Sequence, residues 1–478
     1  MDPLPQSGLA SYRGSTIETG DSTFFLANRE EGRRCLGVLG ESAGFSGERQ
    51  GDLLVCPLSA ANAAALRAGC RWLRPVPLGM KTSAGLGDRL GLATPGHARA
   101  ARRFPAIAPI FAQQSVREND RTGRTPQQVL DDAMWGLFQE GWRGVWGADA
   151  DHLKTVVQVD AFVDAGYTLF TIDPGEHVDH TAHAASPAAV ETSVAALPWE
   201  TLEDTVQDLE MRYLGRPGGG EDALPRLDRE TLWRAAAKYG RAVAHTARMY
   251  RYLAGRMAAA DWELEVSVDE TATPTSPAEH YYVASELRRL GVRWVGLAPR
   301  YVGRFEKGVD YIGDLEGFSG ELARHAAVAR ALGPYKLSLH SGSDKFSIYA
   351  IAVRHTGGLV HLKTAGTSYL EALRAIAQVD PAFFRAILSL ARAHYQQDRA
   401  TYHVSGQLDR VPPPEALSDA ELLLLLDQFD ARQVLHVTFG AVLDQFRDRL
   451  LETLDRHQER YFTLLEGHFV RHLEPFSR

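Results

Sequence analysis

Asp151 and His152 stand side by side at the end of GVWGADADHLK, a short apolar run beginning at residue 144. A second histidine, His340, ends the run in YKLSLHSGSDKF at 335–346 and is followed by Ser-Gly-Ser, Asp344 and Lys345. His361 and Lys363 lie two residues apart in GGLVHLKTAG, and His177 follows YTLFTIDPGEH. Histidines at the ends of several apolar runs suit a shared divalent ion. A catalytic site of that kind needs about three protein ligands and an open position. Asp151, Glu265, Glu270 and Glu306 are carboxylates that would complete such a shell or serve as acid and base. In the adjacent pair, His152 would hold the ion and Asp151 would move a proton. The plainer alternative makes Asp151 a helix cap with His152 on the helix surface. Glu265 lies within LEVSVDE, where alternation puts residues 263, 265, 267 and 269 on one face. If that face is buried, Glu265 needs a partner or a raised pKa.

Lysine usage points the same way. Of 52 Lys plus Arg, only seven are Lys, at 81, 154, 238, 307, 336, 345 and 363. Five of them fall near the ends of apolar runs, the exceptions being Lys238 and Lys336. A chain that otherwise prefers Arg keeps Lys where a compact ammonium is required and a planar fork does not fit.

The elements that must position these side chains recur along the chain. Eight apolar runs start near 74, 108, 144, 167, 264, 292, 335 and 357, most of them separated by helical patterns. TPQQVLDDAMWGLFQEGW and SPAEHYYVASELRRLG open with Thr or Ser followed by Pro, a helix-start signal. Alternating strands and helices imply a parallel sheet, and eight of each predict a (β/α)₈ TIM barrel, an α/β fold. A doubly wound open sheet is the alternative. No run leads into G-x-G-x-x-G: GLGDRLG at 85–91 has one residue too many, so no NAD site is expected. In a barrel the active site gathers at the C-terminal ends of the strands. Residues 1–70 read as a small α/β cap, 71–380 as the catalytic barrel and 381–478 as a helical extension. A long, irregular insertion around 180–225 contains RPGGGED.

Composition excludes several classes. Net charge is −8 and no basic run is present, which argues against nucleic acid or an anionic membrane as partner. No apolar run reaches transmembrane length, and the N-terminus lacks a secretory signal pattern. Three dispersed cysteines form neither a zinc knuckle nor a disulfide framework, which points to a reducing cytoplasm.

Several long segments carry a resemblance. FTIDPGEHVD, SVDETATPTSPAEHYYVASEL, LAPRYVGRFEKGVDYIGD, LSLHSGSDKFSIY, HLKTAGTSYLEALR and LHVTFGAVL resemble the tagaturonate epimerase family. The similarity runs from about residue 85 to the helical tail. It implies a metal-dependent enzyme that interconverts D-tagaturonate and D-fructuronate, with relatives acting on tagatose and fructose. A fainter likeness links Asp151-His152, His340-Ser-Gly-Ser and LEVSVDE to class II aldolases. The departure from that pattern is APRYVGRFEKG, which has no His, so Glu306 would serve as third ligand, with His361 or His177 as substitutes.

The resemblance implies His152, His340 and Glu306 as ligands of Mn, Co, Ni or Zn, Asp151 as base and Glu265 as acid, with Glu270 as alternative acid. Lys81, Arg89, Arg300, Lys345, His361 and Lys363 are the expected contacts to substrate carboxylate and hydroxyls. The carbon to be inverted is β to the ketone and its hydrogen is not acidic. A retro-aldol route therefore fits better than deprotonation. Two other classes stay open. One is an aldolase releasing its fragments, with a Schiff base on Lys363 or Lys345; the other is a non-catalytic sugar-acid binding protein. The expected partner is a small sugar or sugar acid, and a homo-oligomer is left open.

Overall fold

A computed structural model describes residues 9–28, 34–214 and 224–477. RPGGGED at 216–222 lies outside the described residues. The first six strands form an antiparallel sheet: β1 (Ala10–Ser11), β2 (Ile17–Thr19), β3 (Ser22–Asn28), β4 (Arg34–Gly40), β5 (Glu48–Gln50) and β6 (Leu53–Cys56). With the helix Ala60–Gly69 they make the expected α/β cap.

The next eight strands are β7 (Ser83–Gly85), β8 (Ala108–Ser115), β9 (Gly147–Leu153), β10 (Leu169–Ile172), β11 (Glu263–Ser267), β12 (Gly296–Ala298), β13 (Lys336–Leu339) and β14 (Val360–Lys363). They pair in parallel and in chain order, and β14 closes on β7, giving the eight-stranded barrel. The eight strands fall within the apolar runs read from the sequence, except that β11 begins one residue earlier, at Glu263. The helix-start signals also hold. Thr125 and Ser276 each close a capping box, with Gln128 and Glu279, ahead of Pro126–Gln139 and Pro277–Arg289.

The insertion is more regular than its sequence suggests. Pro187–Ala195, Trp199–Leu202 and Val206–Leu214 are short helices, and Arg229–Arg256 is a long one whose Arg234 anchors the carbonyls of Ala182 and Ala185. The C-terminal helices are Pro381–Asp398, Asp419–Leu425, Phe429–Val437, Phe439–Arg456 and Gln458–Leu473. One apolar core runs from Phe24 and Leu36 in the first sheet, past Phe111 and Trp146 on the barrel, to Leu465 and Phe469 in the tail. A small separate cluster, Leu78, Ala108, Ile110 and Leu169, lies at the N-terminal end of the barrel, with Leu169 in register with Asp149 and Glu263. No helix among the described residues is long and apolar enough to cross a membrane.

Candidate active site

The lumen is built in layers by alternation along the strands. At the N-terminal end Glu263 accepts the backbone N–H groups of Leu78 and Gly79, and Lys336 reaches the Gly79 carbonyl. Above it His361 shares a hydrogen bond with Ser83 (2.9 Å). The next layer centres on Lys363. Its ammonium lies 2.9 Å from Asp149, 2.7 Å from Asp151 and 2.9 Å from Glu265, and donates to Thr171 (2.7 Å). A buried charge survives only when paired in this way. Burial works against the Lys363 ammonium, but the three carboxylates outweigh it and hold the group strongly protonated. Glu265 is pushed up by burial, yet Lys363 and His340 pull it well below the usual carboxylate range.

The uppermost layer holds the Asp-His pair and His340. Strict alternation would send Asp151 and His152 to opposite sides of β9. A register shift against β10 and a left-handed backbone at His152 (φ 56°) turn both toward the mouth. Asp151 does not cap the next helix, whose N-cap is Thr155. Gln113 donates to Asp151 Oδ2 (3.2 Å), and Lys363 fixes Oδ1. His152 Nδ1 faces Asp173 (3.2 Å), with Nε2 3.8 Å from Asp151. Burial disfavours the imidazolium of His152, but Asp151 and Asp173 outweigh it and raise the group to about 10. His340 contacts Glu265 (2.6 Å) through Nε2 and Asp269 (3.3 Å) through Nδ1, and its ring stands 5.1 Å from that of His152.

Asp151, His152 and His340 offer ligand atoms that all lie within 4.8 Å of one another. Three further carboxylates, Asp149, Glu265 and Asp269, contact Lys363 or His340 beside them. A mixed N/O donor set with surplus negative charge fits a divalent ion, and Asp173 behind His152 is the carboxylate–histidine support such ligands use.

The trio opens into a cavity at the C-terminal ends of the strands. Asp151, His152 and Lys363 line its inner part, and Asp269, Glu270, Arg300 and Glu306 line an outer part of about 570 Å³, with His340 and Lys307 common to both. The tail contributes Tyr402 and His403 to the wall.

Several expected residues sit elsewhere or work differently. Lys81 precedes β7, so it lies at the opposite end of the strand from the mouth, and it is exposed. Arg89 is buried, spent on Glu118 (2.8 Å) and stacked 3.9 Å from the Phe439 ring. It borders the inner cavity without a free fork for a carboxylate. Glu306 reaches the wall, but its carboxylate is held by Ser405 (2.7 Å) and Gln433 (2.9 Å), outside the donor trio. Lys345 does not face the cavity: it is buried and donates to the carbonyls of Glu306, Val309 and Ser343. Burial, partly offset by Asp344, lowers Lys345 to about 7.

Of the Ser-Gly-Ser turn, Ser341 lines both parts of the cavity, while Gly342 is committed inward. Gly342 donates to the Lys363 carbonyl, and a Cβ there would meet the Leu339 carbonyl at 2.5 Å. His361 lies below Lys363, and His177 stacks on His245, so neither joins the trio. Glu270 is at the exposed rim, paired with Arg117 (2.9 Å). Arg300 borders the outer cavity and donates to the Thr271 carbonyl (2.6 Å). Sequence reasoning missed Asp149 and Thr171, although alternation back from Asp151 in GADAD carried the signal for Asp149.

Residues 12–476 match the family model described as tagaturonate epimerase, UxaE. The tagaturonate/fructuronate epimerase of Thermotoga maritima is 42% identical over 476 residues, covering 98% of this chain and 97% of that protein. The native crystal structure of fructuronate-tagaturonate epimerase UxaE from Cohnella laeviribosi superimposes with a TM-score of 0.93 at 37% identity, covering 99% of this chain and 97% of that one. A glycerol complex of the same Cohnella enzyme gives 0.91 at 36% identity, over 98% and 96%. With a family match from the first sheet to the last helix, the chain belongs to the tagaturonate epimerase family.

Proposed function

We propose that this epimerase interconverts D-tagaturonate and D-fructuronate with a divalent ion held by Asp151, His152 and His340. The observation that carries the reading is this Asp/His/His trio facing the cavity amid surplus carboxylate charge. When bound, such an ion supplies Lewis-acid stabilisation of developing negative charge. The chain's own residues do the rest.

In ketose numbering the inverted carbon is C4 and the ketone is C2. Asp151 is ionised: burial raises it, but Lys363, His152 and His340 hold it well below the usual carboxylate range. It is therefore a proton acceptor, placed to take the C4 hydroxyl proton. The C3–C4 bond then breaks, its electron pair passes into the C1–C3 enediolate, and C4 becomes an aldehyde. Rotation about C4–C5 presents the other face, C3 attacks it, and the new C4 oxygen takes a proton. That proton is the one Asp151 took in the first step: Asp269 lines the outer cavity 3.3 Å from His340, but although burial raises it, His340 and His152 hold it ionised, so it has none to give. Glu265 does not suit this task either. It is ionised and enclosed by Lys363, His340 and Ser338, so its work is to orient Lys363 and His340. A Schiff base on Lys363 is disfavoured because three carboxylates keep its amine protonated.

NMR of tagaturonate, fructuronate, tagatose and fructose with purified protein tests the reading. Epimerisation of the two uronates is expected, abolished by chelation and restored by Mn, Co, Ni or Zn. In D₂O the inverted carbon keeps its hydrogen. Turnover by fully demetallated protein, or deuterium at C4, would overturn the mechanism.

A further inference from the structure

The cations around the cavity differ in whether they are already satisfied. Lys363 is held by three carboxylates, Arg89 by Glu118, Arg117 by Glu270, Arg304 by Glu306 (3.4 Å) and Arg300 by a carbonyl. Lys307 Nζ has no ion pair or hydrogen bond among the described residues, yet it lines both the inner and the outer cavity. A half-buried ammonium without a partner is costly unless an anion joins it in the working state.

The backbone beneath it is fixed. Gln433 donates to the Lys307 carbonyl (3.4 Å), and Lys345 donates to the carbonyl of Glu306 (2.8 Å). Ser405 and Gln433 clamp the neighbouring Glu306 carboxylate. The ammonium is thus presented on a rigid base, as a binding site requires.

We infer that Lys307 is the specificity-determining cation that receives the substrate carboxylate, with Arg117 beside it at the cavity wall. The inference rests on the reading of the site given above. Its chemistry adds one consequence. C3–C4 cleavage leaves the carboxylate, C6, on the aldehyde fragment, two carbons from C4. Lys307 then tethers that fragment at its far end while C4–C5 rotates. It selects uronates over neutral ketohexoses and keeps the three-carbon aldehyde acid from leaving.

Steady-state kinetics on D-tagaturonate and D-tagatose test this with the metal-loaded full chain. Loss of one charge-assisted contact predicts that Lys307→Met lowers kcat/KM for tagaturonate about 10- to 100-fold. The tagaturonate-to-tagatose ratio should fall by a similar factor, and Lys307→Arg should recover part of the loss on the uronate. Trapping should show more three-carbon aldehyde acid per turnover in the Met variant. Wild-type kcat/KM on tagaturonate in Lys307→Met, or an equal loss on both sugars, overturns the inference. If wild-type protein does not turn over tagatose, the Met–Arg difference on tagaturonate decides. Wild-type protein inert toward both uronates would instead refute the underlying function, and this inference with it.

Discussion

Among the described residues two trios of one Asp and two His bring their ligand atoms together, and they behave in opposite ways. Asp151, His152 and His340 crown the barrel lumen. Asp344, His468 and His472 join the turn after β13 to one face of the last long helix, Gln458–Leu473. In both, the candidate ligand atoms lie within 4.8 Å of one another. In the second trio the ring nitrogens are already engaged. His472 Nε2 accepts the Asp344 backbone N–H (2.9 Å), and its Nδ1 lies 3.0 Å from the His468 carbonyl. His468 Nε2 lies 2.7 Å from Thr367, and Asp344 pairs with Arg432 (3.1 Å). Asp344 and His468 also border a cavity, of about 580 Å³, where Arg374, Arg432 and Arg471 stand among Asp310, Glu371 and Asp427. Residue type and spacing alone do not make a metal centre. What separates the two is His152 Nε2, which stands 3.8 Å from Asp151 without a hydrogen bond among the described residues, and the carboxylates Glu265 and Asp269 packed against His340.

The largest expected effect comes from removing one histidine of each trio in parallel. His340→Ala should abolish turnover and lower bound divalent ion to near zero, measured by elemental analysis of dialysed protein. His472→Ala should keep the ion stoichiometry of the wild type. Equal metal loss in both variants would erase the distinction drawn between the trios.

The next effect is on stability. His472→Ala removes a buried ring and leaves the Asp344 N–H without its acceptor, at a cost of about 2–4 kcal/mol. Asp344 sits in a left-handed conformation (φ 61°) at the far end of the turn that begins with His340, so the second trio acts as that turn's anchor. Denaturant melts of the variant should show the loss. An unchanged midpoint would mean the helix merely abuts the turn.

The contrast also explains what could be read from sequence. The eight barrel strands were legible because each apolar run is short and most are followed by an amphipathic helix with its own start signal. Glu265 was legible by alternation in LEVSVDE, since a carboxylate on the same face as the strand's other polar residues must find a lumen partner. Lys363 was legible as one of few lysines, though its partnership with Asp149, Asp151 and Glu265 depends on strand register across the barrel. Glu306 and Lys345 misled because both follow apolar runs, yet Ser405, Gln433 and three carbonyls occupy them. Those partners come from other loops and from the tail, and no local pattern announces them. The second trio was invisible for the same reason: Asp344 and His468 lie far apart in the chain.

A further expected effect is a pH dependence of opposite sign in the two trios of the metal-free protein. His152 titrates near 10 in the fold against an ordinary value of 6.5, because Asp151 and Asp173 outweigh its burial. The fold then holds a proton that the unfolded chain releases. Its stabilisation is complete below pH 6.5 and fades as pH rises toward about 10. Burial lowers His468 to about 4 and His472 to about 3, so the fold keeps both neutral while the unfolded chain binds protons below 6.5. Their contribution is complete above pH 6.5 and is lost as pH falls toward those folded values. Denaturant midpoints of chelated protein across this range should therefore decline on both limbs. His152→Ala should flatten the alkaline limb and leave the acid one, and His472→Ala should do the reverse. Parallel curves for the two variants would mean that the trios share one electrostatic environment, contrary to the separation that their hydrogen-bond partners and neighbouring charges impose.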